Sequence, residues 1–250
     1  MKPDFDILVI DDEPVVLAAA KRILELEGFS MDETASADVA LERLKRLHYR
    51  MVLCDLKLPE EKSWELVDFA REHLPHTPVV MITGYATLES AVRSFKSGAF
   101  DFLPKPFDVG ELLGVVSRAL SFAESSKAAG AGTVPGETYA LGLNAWANLE
   151  PNGTARVGMG EGFACLRGDV RRVDLPALNE ETLQGRLCAR IVTSKELVHA
   201  VWAPLSGQVV EANSALTRRD RSKAEIAAHT WLVRIVPTDL EGELSNLTPR

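Results

Sequence analysis

A rhythm in the first half of the chain constrains its fold more than any single residue does. Five short strand-like runs alternate with amphipathic stretches: Phe5–Ile10, Ser30–Thr34, Met51–Cys54, Val79–Ile82 and Phe100–Leu103. Between the last two runs, Leu88, Ala91, Val92 and Phe95 recur at the spacing of one helix face. Asp108 and Glu111 have the spacing of a capping box, which predicts a helix running to about Phe122. Strands alternating with helices predict an α/β unit, a parallel sheet with helices on both faces.

Polar residues stand directly after these runs. Asp11 and Asp12 follow the first, Asp55 the third and Thr83 the fourth, and Lys105 lies two residues beyond the fifth. In a parallel sheet the C-terminal ends of the strands share one edge, where ligands bind. The five residues should therefore converge, although they are scattered from position 11 to position 105. Three carboxylates in one crevice repel one another, and a hard divalent cation such as Mg²⁺ relieves that repulsion. An ammonium and a hydroxyl beside them complete a pocket suited to phosphoryl transfer, with a carboxylate as nucleophile. Taken singly, each residue has an ordinary reading: an Asp after a strand caps a helix, Lys105 is a surface charge and Thr83 a turn hydroxyl. The joint pattern is what points to chemistry.

Composition and charge divide the chain. Residues 1–137 hold 23 Asp/Glu and 15 Lys/Arg, a net charge of −8, while residues 138–250 hold 13 of each. The segment 125–137 is small and Gly/Ala-rich without apolar periodicity, and reads as a flexible linker between units at 1–124 and 138–250. Beyond it, turn signals such as Pro151-Asn152-Gly153 and Pro204-Leu205-Ser206-Gly207 separate strand-like runs at Leu187–Thr193, Gln208–Glu211 and Trp231–Val236. That pattern predicts a small, mainly β sandwich or barrel, with a short helix within Thr238–Leu247. Cys54, Cys165 and Cys188 are odd in number and widely spaced, which suits a reducing cytoplasm. No apolar run reaches the ~20 residues of a membrane helix, and the acidic N-terminus does not read as a signal peptide. The basic cluster Arg218, Arg219, Arg221 and Lys223 is short and reads as a solvated face. His199 and His229 have no evident carboxylate or thiol partner and read as core or surface residues.

Four motifs then carry a family resemblance: Leu-Val-Ile-Asp11-Asp12-Glu13, Val-Leu-Cys-Asp55-Leu-Lys-Leu-Pro59, Met-Ile-Thr83-Gly-Tyr-Ala and Gly98-Ala-Phe-Asp-Phe-Leu-Pro-Lys105-Pro106-Phe. Residues 4–122 resemble a response-regulator receiver domain. The resemblance implies a flavodoxin-like (βα)₅ fold with Asp55 as phosphoacceptor. It implies a Mg²⁺ site made by Asp12, Asp55 and the Lys57 backbone carbonyl, with Asp11 acting largely through water. Thr83 would contact the phosphoryl group, Lys105 would neutralise it, and the Lys105–Pro106 bond would be cis. Phe102 stands at the family's aromatic switch position, where its plain reading is strand core. Lys57 and Tyr85 flank the site. Glu60–Ser63 departs from the family's usual loop sequence without touching the chemistry.

Residues 140–247 resemble the glycine-cleavage H-protein, a lipoyl-domain relative. The segments are Trp146 with Gly153-Thr-Ala-Arg-Val-Gly158, Gly168-Asp-Val with Val-Asp-Leu-Pro176, Ala203-Pro-Leu-Ser-Gly207-Gln-Val-Val-Glu-Ala-Asn213, and Trp231-Leu with Val-Pro-Thr-Asp-Leu240. That family carries lipoate on a hairpin-tip lysine eight residues before the proline of the later turn. Here that position is Glu196, which has no amine, and Lys195 is one residue off register. The resemblance thus implies a degenerate module for which lipoate is not expected, with Lys195 as the remaining candidate.

Together these imply a two-component response regulator phosphorylated on Asp55 by a sensor histidine kinase. Beyond receiver self-phosphorylation and autodephosphorylation no dedicated enzymatic activity is expected. Output would run through protein contact with an unidentified target, not through DNA or a membrane. A homodimer through the face of the fourth helix, fifth strand and fifth helix is also expected. The alternatives are a phosphorylation-regulated lipoyl carrier using Lys195, a phosphate sink, and a dimerisation module.

Overall fold

The computed structural model describes residues 3–58, 62–84, 87–125, 136–164, 166, 169–217 and 229–250. Tyr85, Cys165, most of the 125–137 linker and the cluster Arg218, Arg219, Arg221 and Lys223 lie outside the described residues.

The N-terminal unit runs β1 (Phe5–Ile10), α1 (Pro14–Leu26), β2 (Met31–Thr34), α2 (Ala37–Arg46), β3 (Tyr49–Asp55), α3 (Lys62–His73), β4 (Val79–Thr83), α4 (Leu88–Lys96), β5 (Asp101–Pro104) and α5 (Val109–Ser125). Its five strands pair in parallel in the order β2-β1-β3-β4-β5. The inner strands β1, β3 and β4 are largely apolar because both faces are covered, whereas the edge strand β2 is half-buried and polar. Ile7 and Val9 point into a core shared with Leu24, Leu112 and Val116 of α1 and α5. Leu8 and Ile10 point into the opposite core with Ala40, Leu44 and Leu66. The strand order reverses between β1 and β3, which opens a crevice at the C-terminal edge. The capping box at the start of α5 forms as the spacing predicts: Asp108 accepts from the Glu111 amide at 2.8 Å, and Glu111 accepts from the Asp108 amide at 3.1 Å.

The C-terminal unit is built of antiparallel strands. One sheet includes β6 (Thr138–Leu141), β7 (Ala145–Leu149), β8 (Ala155–Met159), β10 (Glu181–Thr182), β13 (Gly207–Ala212), β14 (Trp231–Pro237) and β15 (Thr248–Pro249). A second, of three strands, has β11 (Leu187–Thr193) between β9 (Val170–Asp174) and β12 (Val198–Trp202). The predicted late helix is a short α6, Leu240–Leu244, capped by the Asp239 side chain on the Gly242 amide. Cys188 is buried, as a small core residue.

The two units pack on each other, and one apolar core runs through both. It passes from Leu8 and Met81 through Phe95 and Phe102 into Phe163, Trp202 and Leu232. The face of α4, β5 and α5 is met in this structure by the chain's own C-terminal unit. Phe102 lies 4.2 Å from Trp202 between ring centroids, and Lys96 Nζ donates to Asn246 Oδ1 at 3.1 Å. A large apolar side chain such as Phe102 is covered by whatever apolar surface the tether keeps close, and here that surface is intramolecular. His199 likewise lies in the interior, 1% exposed on β12.

Candidate functional site

The five polar residues that follow the strands do converge. Asp11 is the first residue beyond β1 and is fully buried, and its Oδ1 accepts from the Glu13 amide at 2.9 Å. Asp12, next to it, is exposed. Asp55 ends β3 and Thr83 ends β4, at 3% and 1% exposure. Lys105 follows β5, and its amide donates to the Thr83 carbonyl at 2.7 Å. The Lys105–Pro106 peptide is cis.

Asp11, Asp12 and Asp55 each bring a carboxylate oxygen within 4.8 Å of the others. The Lys105 ammonium nitrogen lies 2.7 Å from Asp11 Oδ2, 2.8 Å from Glu13 Oε1 and 3.5 Å from Asp55 Oδ1. Two members of this set were not singled out from the sequence. Glu13 stands in the sequence only as part of a motif, yet it reaches Lys105. Ser63, buried on α3, donates to the Asp55 carbonyl at 2.6 Å and holds the end of β3. Its only sequence signal is a small hydroxyl in the first turn of a helix after the acidic strand end.

Electrostatics here follow from crowding. Burial pushes the Asp55 carboxyl above the usual range; Lys105 pulls it down, Asp11 pushes it up again, and the Lys57 amide lowers it. Burial works against the Lys105 ammonium, but its contacts with Asp11 and Glu13 and the charge of Asp55 outweigh that and raise it. Asp55 Oδ1 is buried and accepts no hydrogen bond. A buried oxygen without a donor, in a set of hard oxygen ligands with one exposed member, fits a small divalent cation such as Mg²⁺.

Two other sequence-derived positions lie apart from this edge. Phe102 is buried within β5, edge-on to Phe95 at 5.9 Å. Lys195 is exposed at the tip of the β11–β12 hairpin. The next residue, Glu196, turns the chain with a positive φ of 59° and pairs with Arg171. Both stand in the turn, outside the paired strands, so the one-residue offset does not switch Lys195 between sheet faces.

Comparison with known proteins divides the chain in the same way. Residues 7–117 match the response regulator receiver domain, and residues 138–249 match the glycine cleavage H-protein. Among curated relatives, the nitrogen assimilation regulatory protein NtrX of Azorhizobium caulinodans is 38% identical over 117 residues, covering 46% of this chain and 26% of its own. The response regulator protein PilR of Pseudomonas aeruginosa is also 38% identical over 117 residues, covering 45% and 25%. The chain spans about a quarter of the length of these relatives. A CheY-like receiver domain from Methanospirillum hungatei is similar at 33% identity and a TM-score of 0.47, covering 49% of this chain and 98% of its own.

Proposed function

Since the chain joins a response regulator receiver domain to a glycine cleavage H-protein domain, we propose that it is a two-component response regulator. A sensor histidine kinase phosphorylates Asp55, and the second domain delivers the output. The supporting observation is the Lys105 ammonium set between Asp11 and Asp55, with Asp12 beside them, at the C-terminal sheet edge.

In the reaction, an Asp55 oxygen attacks the phosphorus of a phosphohistidine. The P–N bond breaks, its electron pair stays on the imidazole nitrogen, and that nitrogen takes a proton from solvent. Lys105 compensates the charge brought by the phosphoryl oxygens, and the Thr83 hydroxyl donates to one of them. The receiver family generally holds Mg²⁺ at such an acidic cluster; Asp12, Asp55 and the Lys57 carbonyl would hold it here, with Asp11 through water. Bound there, it supplies further charge neutralisation for the phosphoryl group. The Ser63 hydroxyl fixes the backbone that carries Asp55, so the nucleophile is positioned before the donor arrives.

The output is read as protein contact. The second domain has no net charge to attract nucleic acid, and among the described residues no helix is long and apolar enough to cross a membrane. The test is phosphate uptake: incubation with a phosphorylated kinase domain and Mg²⁺ should give one acid-labile phosphate, which Asp55→Ala removes. A variant that still takes up phosphate would overturn the assignment.

One observation favours a second reading. Lys195 is exposed at the hairpin tip, which is where a lipoyl carrier needs its amine. Intact mass after co-expression with a lipoate ligase separates the readings: unmodified chain supports the degenerate module, and a lipoyl adduct lost in Lys195→Arg supports the carrier.

A further inference from the structure

We propose that the cavity beside Trp202 is a binding site for a small carboxylic acid with an apolar body, its carboxylate held by donors of Arg118 that the protein leaves unused. The proposal does not depend on the Asp55 reading.

The cavity arises where α5 meets the β11–β12 hairpin. Two glycines bring the backbones together along one stripe of the helix. A Cβ at Gly114 would collide with the Val198 carbonyl, and one at Gly110 would lie 2.6 Å from the Glu196 carbonyl oxygen. The neighbouring stripe, Glu111, Val115 and Arg118, recurs at helical spacing and faces a cavity of about 200 Å³. Phe102, Trp202 and Leu187 complete much of its wall. Apolar walls with a few placed polar groups are the usual make-up of a small-molecule site. Drug-sized sites begin at roughly 300 Å³, so this one suits a ligand of about ten non-hydrogen atoms or fewer.

A buried polar knot lines its inner side. Asp101 of β5 pairs with Arg118 of α5, both enclosed. Asp101 Oδ1 also accepts from Trp202 Nε1 at 2.9 Å, from Asn144 Nδ2 at 3.3 Å and from the Phe102 amide at 2.8 Å. Asn144 in turn accepts from the Trp202 amide at 2.9 Å. Asp101 is thus well supplied, and Arg118 is not. Arg118 meets Asp101 through Nη2, while its Nε and Nη1 are buried without a hydrogen-bond partner. Those two nitrogens carry three of the five N–H donors of a guanidinium. Its face lies 4.1 Å over the Phe163 ring, which leaves the donors on its edge unmet. Buried donors without an acceptor are costly, and native interiors nearly always supply one. Among the described residues none is supplied, so the acceptor comes from outside.

Charge and access identify that acceptor. Asp101 spreads its charge over several donors, so it compensates Arg118 only in part. A charged acceptor then gains more from the free donors than a neutral carbonyl does. At the mouth, Arg190 has half of its side chain exposed, and Leu187 is 42% exposed. An exposed cation at an opening draws anions towards it. A bare inorganic anion would leave the apolar wall in contact with nothing, so the fitting ligand carries a ring or a short hydrocarbon chain.

The test is isothermal titration calorimetry on the full chain with benzoate, phenylacetate and hexanoate. At least one should bind one to one with a Kd below about 1 mM, and its neutral amide at least tenfold more weakly. No binding by any of the three at roughly 10 mM overturns the proposal. So does an amide, or inorganic phosphate, that binds as tightly as the acid. Arg118→Lys keeps a cation for Asp101 and removes the spare donors, so affinity should fall at least tenfold; unchanged affinity overturns the proposal. If Arg118→Lys fails to fold, Ala200→Leu serves. Ala200 lines the cavity from β12, and the added bulk fills it without removing a member of the knot. Binding should then be lost, and binding that persists places the acid elsewhere and overturns the site.

Discussion

Two clusters of acid and base lie at the two ends of β5, and they are built on opposite principles. At the sheet edge, Asp11, Asp55 and Glu13 share one ammonium, that of Lys105, and Asp12 lies beside Asp11 and Asp55. Negative charge exceeds positive charge, and Asp55 keeps a buried oxygen that accepts no hydrogen bond. At the domain boundary, Asp101 faces Arg118 one to one and accepts from Trp202, Asn144 and the Phe102 amide. Burial pushes the Asp101 carboxyl up, while Arg118 and these donors pull it back. An unbalanced cluster is relieved by added positive charge, as the proposed function requires. A cluster whose charges match one to one holds two surfaces together, although Arg118 keeps Nε and Nη1 buried without a hydrogen-bond partner.

The sharpest way to break this comparison is at Asp55. Asp55→Asn should abolish acid-labile phosphate uptake and raise the melting temperature, because it removes one of several crowded like charges. A lowered melting temperature would mean that the edge is structural after all.

The next effect in size is at Asp101. Asp101→Ala leaves the Arg118 guanidinium buried without its partner, and urea denaturation should show a loss of about 3–5 kcal/mol. A loss below about 1 kcal/mol would show the knot to be dispensable.

A third prediction concerns pH. Burial, and then the nearby Arg118 guanidinium of α5, hold the His199 imidazole down to about 3. The native state therefore binds the neutral ring. Its contribution is complete above about pH 6.5, the unfolded value, and is lost as pH falls below it towards the native value. Between pH 7 and pH 5 the loss should be on the order of 2 kcal/mol, and His199→Gln should flatten the profile. Asp55, raised in the native state, has the opposite sign, so the comparison is best made in Asp55→Asn.

The smallest effect is expected at the rim. Arg190 of β11 pairs with Glu111 of α5 at 3.4 Å with half of its side chain exposed. Arg190→Ala should cost under about 1 kcal/mol, and less in high salt. A larger loss would move the weight of the docking from the buried knot to the surface.

The two clusters also differ in how far they could be read in advance. Asp11, Asp12, Asp55, Thr83 and Lys105 each follow an apolar run, and parallel strands share one C-terminal edge, so their meeting was legible from spacing alone. Ser63 was not, because a hydroxyl in a first helical turn has no strand to register it. The balanced knot was wholly hidden. Asp101 and Phe102 read as strand interior and His199 as an unpartnered histidine, while Asn144 carries no sequence signal. Their meeting spans 101 positions between Asp101 and Trp202, and no periodicity links a strand of one domain to a hairpin of another. The glycines of α5 were likewise silent, since a close approach is a property of the neighbour.

The sequence by itself determined the two kinds of unit, the order of strands and helices in the first, and the acidic edge with its lysine. Local periodicity and parallel topology are enough for that. Only the tertiary structure decided that the second domain covers the α4–β5–α5 face, that Lys195 stands exposed at a hairpin tip, and that Asp101 and Arg118 are completed from across the boundary. Those outcomes depend on which apolar and polar surfaces come to rest together once each unit has folded, and such complementarity is written in three dimensions rather than along the chain.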